Sequence, residues 1–344
     1  MTRSLNSGSI GSDLHDDSTP GREPLFRALL DQFQDCSRGD IGCSSIEWRR
    51  SEHLTIGGKP VLLQLDSRDA AADPRTGTQI AQQLVDDGVV AVVGDINSGV
   101  SIPASRIYSE ASVTQISQGS TNPAYTQQGF RTTYRLVATD ALQGPALARY
   151  ALGSLHAKRI AVIDDSTAYG QGLSGEFEKA VKAAGATVVA HEATNGKAID
   201  FRAILTKIKA LQPDVIMYGG SDATAGPLAK QAAALGMTAH VVGGDGACTD
   251  KMIQLAGDAI DSVVCSEAGQ ALSKMPKGAA FDQRYVARYK VPIDAYGPFA
   301  YDAVYVIVNA MTRANSTDRA KILAGDACNS IQRCDWKDRL RPTR

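Results

Sequence analysis

The chain has 344 residues, of which 43% are apolar and 21% are charged, values typical of a soluble globular protein. Lys and Arg number 36 against 37 Asp and Glu, so the formal net charge is -1 and no basic excess points to nucleic acid. No apolar run approaches the roughly 20 residues that a membrane-spanning helix needs. The composition therefore excludes an integral membrane protein and gives no support for nucleic-acid binding.

The amino-terminal segment, residues 1–53, differs in character from the middle of the chain. Its first ten residues hold one cation and no apolar stretch of signal-peptide length, so as written it carries nothing for export. It contains Pro20, scattered charges and two of the six cysteines, and no clear strand run precedes Leu54. We expect residues 1–53 to be irregular.

In the middle of the chain, short β-branched runs alternate with segments of helical period. The predicted strands are 61–65, 89–93, 113–117, 159–164, 187–190, 215–218, 240–243 and 262–265. Several are continuous apolar runs, as expected for parallel strands covered on both faces. Asp73 before Pro74 and Asp200 before Phe201 predict helix starts, and residues 316–318 open a last helix that reaches Leu323. This pattern predicts an α/β protein of two lobes, each a mostly parallel sheet flanked by helices.

Polar and glycine-rich segments follow five of these predicted strands. They are residues 94–99, 118–123, 165–170, 219–222 and 244–246. In open parallel sheets, ligands bind outside the carboxyl ends of the strands, where turns and helix N-termini meet. The hydroxyls, glycines and carboxylates of these segments therefore predict one polar site.

A nucleotide-dependent enzyme is the first alternative. Residues 170–175 (GQGLSG) fit G-x-G-x-x-G, and Glu192 lies near the expected position of a ribose-binding acid. However, five residues separate the strand end at Asp164 from Gly170, whereas a dinucleotide fingerprint starts directly at the strand end. The five histidines form no H-E-x-x-H, and no G-x-S-x-G is present. We expect no catalytic activity and no cofactor.

The six cysteines show no C-x-x-C spacing, which argues against a zinc site. Cys248 and Cys265 are 17 residues apart, and this spacing is as compatible with a disulfide as with two buried thiols. We expect no metal site.

Eight short stretches, in order and at matching spacing, carry a family resemblance over residues 54–324. They are LVDDGVVAVVG (84–94), NSGVSIPAS (97–105), STNPAYT (120–126), YGQGL (169–173), DFRAIL (200–205), MYGG (217–220), GGDG (243–246) and YDAV (301–304). The chain resembles the branched-chain amino-acid-binding (Leu/Ile/Val) family of ABC-transporter solute receptors, which have the type I periplasmic-binding fold. The resemblance implies a lobe 1 of residues 54–140 and 269–324 and a lobe 2 of residues 141–268.

The resemblance also implies how the ligand is held. Ser98 and Thr121, with Ser120 beside them, match positions on lobe 1 that bind the α-carboxylate, and short hydroxyls near helix N-termini suit that group. Gly119 matches a position whose backbone carbonyl holds the α-ammonium. Asp245 matches the acidic partner of the ammonium, where the family more often has Glu.

Other positions shape the pocket that the resemblance implies. Tyr169 matches an aromatic residue of the cleft, and Ile96 matches a wall of the side-chain pocket. Ser221, with Asp222 next to it, stands where the family has a bulky aromatic, which opens the pocket or adds polarity. Cys248 and Cys265 match positions that pair in an oxidised receptor.

These matches predict a monomeric substrate-binding receptor of an ABC importer that binds an amino acid, branched-chain or similar, and docks on the permease subunits. Two alternatives remain open: a non-transport amino-acid or amide sensor of the same fold, and a truncated remnant with impaired binding. The resemblance implies a periplasmic location, although without a signal peptide this chain would remain in the cytoplasm. A shift of one nucleotide over codons 325–342 permits a string that resembles the family's continuation, so we interpret residues 325–344 as a frameshifted tail.

Overall fold

Two five-stranded parallel sheets form the framework of the molecule. The structure is a computed structural model, and it describes residues 26–30 and 54–324. The first sheet has the strand order β4 (Leu63–Leu65), β1 (Phe26–Leu30), β5 (Ala91–Val93), β6 (Thr114–Ser117) and β7 (Thr133–Arg135). The second has the order β12 (Val263–Cys265), β11 (His240–Gly243), β10 (Val215–Gly219), β8 (Arg159–Asp164) and β9 (Thr187–Ala193). We call the unit built on the first sheet lobe 1 and the unit built on the second sheet lobe 2. The predicted α/β class with mostly parallel sheets is confirmed.

Lobe 1 carries helices on both faces of its sheet. Its strands are β1 (Phe26–Leu30), β4 (Leu63–Leu65), β5 (Ala91–Val93), β6 (Thr114–Ser117) and β7 (Thr133–Arg135), with a small antiparallel hairpin of β2 (Thr55–Ile56) and β3 (Lys59–Pro60). Its helices are α1 (Pro74–Asp86), α2 (Ser98–Glu110), α3 (Ala124–Gln127), α9 (Gly278–Tyr289), α10 (Gly297–Ala314) and α11 (Arg319–Ala324). Val92 packs against α1 and α2, whereas its neighbours Ala91 and Val93 pack against α10 on the opposite face. Alternate residues of β5 therefore build two separate cores.

Lobe 2 repeats this arrangement. Its strands are β8 (Arg159–Asp164), β9 (Thr187–Ala193), β10 (Val215–Gly219), β11 (His240–Gly243) and β12 (Val263–Cys265). Its helices are α4 (Asp140–Gly153), α5 (Ala168–Ala183), α6 (Arg202–Lys209), α7 (Asp222–Ala234) and α8 (Asp250–Ala256). Along β10, Val215 and Met217 face the core with α4 and α5, while Ile216 and Tyr218 face the core with α6, α7 and α8.

Two segments of the described chain cross between the lobes side by side. The first leads from β7 to α4, and the second leads from β12 towards α9. The Ala138 N–H donates to the Ala268 carbonyl at 2.6 Å, and Val137 and Ala268 pack with Phe299. The ends of the strands of the two sheets consequently face a shared cleft.

Several predicted elements differ from the structure. The expectation of no strand before Leu54 is wrong for Phe26–Leu30, which pairs in parallel with both β4 and β5 and so lies inside the lobe 1 sheet. The short strand β7 was not predicted either. Asp200 accepts a hydrogen bond from the Arg202 N–H at 3.1 Å, but the helix begins at Arg202 with Phe201 as its N-cap. The predicted tail, residues 325–344, lies outside the described residues.

The packing of α4 on α5 gives a test of the lobe 2 core. A Cβ built on Gly144 would lie 2.6 Å from the Phe177 backbone nitrogen, so Gly144→Ala should push the helices apart. We expect a loss of about 1–3 kcal/mol in the free energy of unfolding, measured by denaturant titration. Gly153→Ala in the same helix is the matched control, because a Cβ there meets no atom within 4 Å. Equal stability of the two variants would contradict this packing.

None of the helices among the described residues is both long enough and apolar enough to span a bilayer.

Candidate functional site

A cavity of about 940 Å³ lies in the cleft, lined by residues from both lobes. Seven of the nine predicted site residues line it: Ile96, Ser98, Gly119, Tyr169, Ser221, Asp222 and Asp245. Ser120 and Thr121 do not line it, although both lie in the loop beside it. The carboxyl ends of strands from two separate sheets therefore meet at one site, as expected for parallel α/β architecture.

Asp245 is one of two buried acids that line the cavity, the other being Asp222. Asp245 is only 6% exposed, and it follows β11 in lobe 2. Its Oδ1 accepts hydrogen bonds from Gln143 Nε2 at 2.9 Å and from the Tyr169 hydroxyl at 3.1 Å, and its Oδ2 accepts one from the Tyr296 hydroxyl at 2.8 Å. Burial raises the pKa of Asp245, and these three hydrogen bonds oppose the rise. The groups that most affect the pKa of this carboxyl are neutral, so a bound cation would supply a countercharge.

The glycines on either side of Asp245 allow Tyr169 to approach it. A Cβ on Gly244 would lie 2.6 Å from the Tyr169 hydroxyl oxygen, and one on Gly246 would lie 2.9 Å from the ring. The Gly246 N–H donates to the Tyr169 hydroxyl at 3.0 Å, which directs the phenolic proton towards Asp245. The GGDG segment therefore has a physical reason to contain glycine at these positions.

Gln143 and Tyr296 contact the site, although no pattern in the sequence predicts it. Gln143 is buried in α4; its Nε2 donates to Asp245, while its Oε1 accepts from the Ser266 hydroxyl at 2.7 Å. Tyr296 directly precedes α10. Their positions are 102 and 51 residues from Asp245, so no local pattern could connect them to it.

On the lobe 1 side, α2 begins at Ser98 in the cavity wall. Ser98 Oγ accepts a hydrogen bond from the Asn122 N–H at 3.2 Å. The Thr121 hydroxyl is buried and interacts with the Asp140 carboxyl. Ser120 Oγ instead donates to the backbone carbonyls of Asp95 and Ile96, at 3.0 and 3.1 Å, so its side chain holds the interior of lobe 1 and not the cavity.

The loop that carries these hydroxyls is fixed by Arg135. Its guanidinium donates to the carbonyls of Ser120 and Asn122, at 2.7 and 2.9 Å, and to Thr126 Oγ1 at 2.8 Å. Burial lowers the pKa of this guanidinium, which nevertheless stays charged at neutral pH. Arg135 therefore fixes the conformation of the loop beside Ser98 through hydrogen bonds to the loop backbone.

The region around Ser221 is polar but internally paired. Asp222 is 5% exposed, and its Oδ2 accepts from the Thr249 hydroxyl at 2.6 Å. Cys248, which directly precedes Thr249, forms a disulfide with Cys265, and the two Cα atoms are 5.3 Å apart. The hydrogen bond of the Asp222 side chain to Thr249 lies within lobe 2.

An apolar wall completes the cavity from the lobe 1 side. Its residues come from the chain before and after the start of α10, and they are Pro292, Ile293, Pro298 and Phe299, with Ile96 and Leu272 nearby. Of these residues, only Ile96 is predicted from the sequence to line the side-chain pocket. The cavity therefore combines charged and hydroxyl groups with a hydrophobic surface, as small-molecule sites commonly do.

The nucleotide-binding alternative has no support in the geometry. Gly170, Gly172 and Gly175 all lie inside α5, not in the turn between β8 and that helix. His191 lies in β9 and contacts Glu178 and Asp164, at 2.7 and 3.0 Å. Within residues 54–324, no group of three His, Cys, Asp or Glu side chains is placed to hold a metal ion.

Comparison with known proteins identifies relatives for most of the chain. Residues 50–327 match the model of a family described as periplasmic binding protein. Leu/Ile/Val-binding protein homolog 1 from Brucella abortus is 33% identical over an alignment of 275 residues, and the match covers 78% of this chain and 71% of that protein.

Solved structures share the architecture. A leucine-binding protein, LivK, from Thermotoga maritima superimposes with a TM-score of 0.76 at 27% identity, covering 88% of this chain and 87% of that one. The branched-chain amino acid transporter substrate-binding protein LivJ from Streptococcus pneumoniae, in complex with isoleucine, gives a TM-score of 0.73 at 23% identity, covering 89% and 88%. The predicted two-lobed fold is confirmed.

Proposed function

The chain belongs to the periplasmic binding protein family, whose members are solute-binding receptors and not enzymes, and we propose that it binds an aliphatic α-amino acid in its cleft for an ABC importer. The buried Asp245 carboxylate carries the proposal. Its hydrogen-bond donors are neutral, and no cationic side chain is among the groups that most affect its pKa. The relatives named above as Leu/Ile/Val- or leucine-binding support the same ligand class.

The two poles of the amino acid would contact opposite lobes. Its ammonium binds Asp245 on lobe 2 and the Gly119 carbonyl on lobe 1. Its carboxylate binds the Ser98 hydroxyl next to the positive end of α2, a suitable environment for an anion, while Thr121 lies in the loop beside the cavity without lining it. The lobes are already bridged in this structure, since Asn122 Nδ2 donates to the Ala168 carbonyl at 2.6 Å. A ligand that touches both lobes stabilises this closed arrangement.

The apolar wall gives the side-chain preference. Ile96, Ile293 and Phe299 offer hydrophobic contact to a branched aliphatic group, and burying each methylene contributes about 0.8 kcal/mol. Ser221 and Asp222 remain proposed members of the pocket, where they limit the length of the side chain that fits without contacting polar groups.

Calorimetric and thermal titrations with the twenty amino acids test this function. Leucine, isoleucine and valine should each raise the melting temperature, and a concentration of 100 times Kd should stabilise the fold by about 2.7 kcal/mol. Leucinol, which lacks the carboxylate, and 4-methylpentanoate, which lacks the ammonium, are matched controls that should bind more weakly than leucine. Absence of a shift with every amino acid would refute the proposal.

We further propose that the receptor acts as a monomer in the periplasm and delivers its ligand to permease subunits. Family membership supports the periplasmic location and the role in an ABC transporter. The same membership supports the absence of catalysis, since lobe closure and not bond chemistry is the working step.

A further inference from the structure

One hydrogen bond to the ligand-binding carboxylate comes from the opposite lobe. Tyr296 precedes α10, whose residues Ala303, Ile307 and Met311 pack on the sheet of lobe 1. Asp245 follows β11 in the sheet of lobe 2. The Tyr296 hydroxyl donates to Asp245 Oδ2 at 2.8 Å, so this contact exists only while the cleft is closed.

The hydrogen bond from Tyr296 to Asp245 belongs to the stronger class of protein hydrogen bonds. A hydrogen bond to an ionised group is shorter and more stabilising than one between neutral groups, and Asp245 is buried where water competes little. Opening of the cleft would replace this phenol with water at Oδ2. It would leave Gln143 and Tyr169 in place at Oδ1, because both belong to lobe 2.

We propose that Tyr296 is a positioning residue that latches the two lobes through Asp245, so that the free receptor is already biased towards closure before ligand arrives. The identity of Asp245 as the ammonium partner rests on the proposed function, but the latch itself does not require a ligand. With ligand present, Oδ2 is held by Tyr296 and Oδ1 by lobe 2, and the ammonium meets a carboxylate fixed from both sides. Ligand affinity is thereby coupled to the closed fraction of the free receptor.

The chain provides a matched pair of variants for this idea. Tyr296→Phe and Tyr169→Phe each remove one phenolic donor from the same carboxylate and retain the ring. They differ in the lobe from which the donor comes. A role limited to solvating the Asp245 charge predicts similar effects of the two changes, whereas a latch predicts a difference in lobe closure.

The test is small-angle X-ray scattering of the ligand-free, full-length protein, fitted to closed and open populations, with circular dichroism to confirm folding. Tyr296→Phe should lower the ratio of closed to open molecules roughly tenfold and increase the radius of gyration, as expected for loss of one charge-assisted hydrogen bond. Tyr169→Phe should leave that ratio unchanged. Equal scattering of the wild-type protein and Tyr296→Phe, or equal opening in both variants, would overturn the latch. Because these measurements contain no amino acid, they stand apart from the ligand titrations: the latch can fail while binding is retained, and binding can fail while the latch is retained.

Discussion

Changing Asp245 to Ala should weaken amino-acid binding by about 2 kcal/mol or more, which corresponds to roughly a 30-fold increase in Kd. The ammonium of the ligand would remain in a closed cleft without its countercharge, and desolvating an unpaired charge is costly. Asp245→Asn should produce a similar loss while keeping the shape of the side chain and one of its two acceptor oxygens. Isothermal titration calorimetry with leucine measures both values.

Asp222→Asn is the matched control for this prediction. Asp222 lines the same cavity and is about equally buried, but its side chain bonds Thr249 within lobe 2, whereas Asp245 also accepts a hydrogen bond from Tyr296 of lobe 1. It should cost less affinity than Asp245→Asn. Wild-type affinity in Asp245→Asn would remove Asp245 from the site, and equal losses in the two variants would show that the overall acidity of the cavity binds the ammonium instead of one specific carboxylate.

The position of Asp245 could be predicted from sequence because continuous apolar runs mark where the buried strands end. Two such runs, 159–164 and 240–243, coincide with β8 and β11 in the structure. Residues directly after a run of this kind lie at the carboxyl edge of a parallel sheet, and loops from that edge converge on a cleft. Ser98, Tyr169 and Asp245 all come after strands in this way.

Contacts made across the fold could not be predicted in the same way. Tyr296 and Gln143 reach Asp245 through tertiary packing, and nothing in the residues around them marks a site. Ser120 lies in the predicted loop, but its hydroxyl donates a hydrogen bond to a nearby backbone carbonyl and does not face the cavity. Side-chain direction within a loop depends on which acceptors the folded chain brings near, and sequence order does not contain that information.

Two short strands, β1 and β7, also could not be predicted from the sequence. Strand β7 has three residues, Thr-Tyr-Arg, of which Arg135 turns its guanidinium to the neighbouring loop, and so it shows neither an apolar run nor a clear alternation. Strand β1 has an arginine in its second position. Pairing with β4 and β5 on either side, and not intrinsic propensity, defines it as a strand.

Ionisation of Asp140 should lower the free energy of unfolding as the pH rises. Asp140 is the first residue of α4, where the chain enters lobe 2, and it is fully buried. Its carboxyl interacts with the Thr121 hydroxyl, which favours the ionised form. Burial raises its pKa from 3.8 to about 7; the nearby charges of Asp245 and Glu176 add to the rise, while Thr121 and Arg135 oppose it.

The sign of the effect is set by proton binding in the two states. Between pH about 4 and about 7 the folded chain holds a proton on Asp140 that the unfolded chain has released, so stability falls as the pH rises through this window. The stabilisation is complete below the lower value and lost above the upper one. At about 1.4 kcal/mol for each pKa unit, the loss through this single group amounts to roughly 4 kcal/mol.

Asp140→Asn should abolish this part of the pH dependence, because the amide is neutral at every pH and nearly the same shape. Urea denaturation at pH 4, 5.5 and 8 measures the difference in unfolding free energy between wild type and variant, in which the other titrating groups cancel. We expect the variant to gain on the wild type steadily as the pH rises. Asp200→Asn is the control, since Asp200 is exposed and its hydrogen bonds to Arg202 hold its pKa near 2, below the window. If Asp140→Asn follows the pH profile of the wild type, then the Asp140 carboxyl ionises in the folded state as readily as in water, and its burial at the entry to lobe 2 has no electrostatic cost.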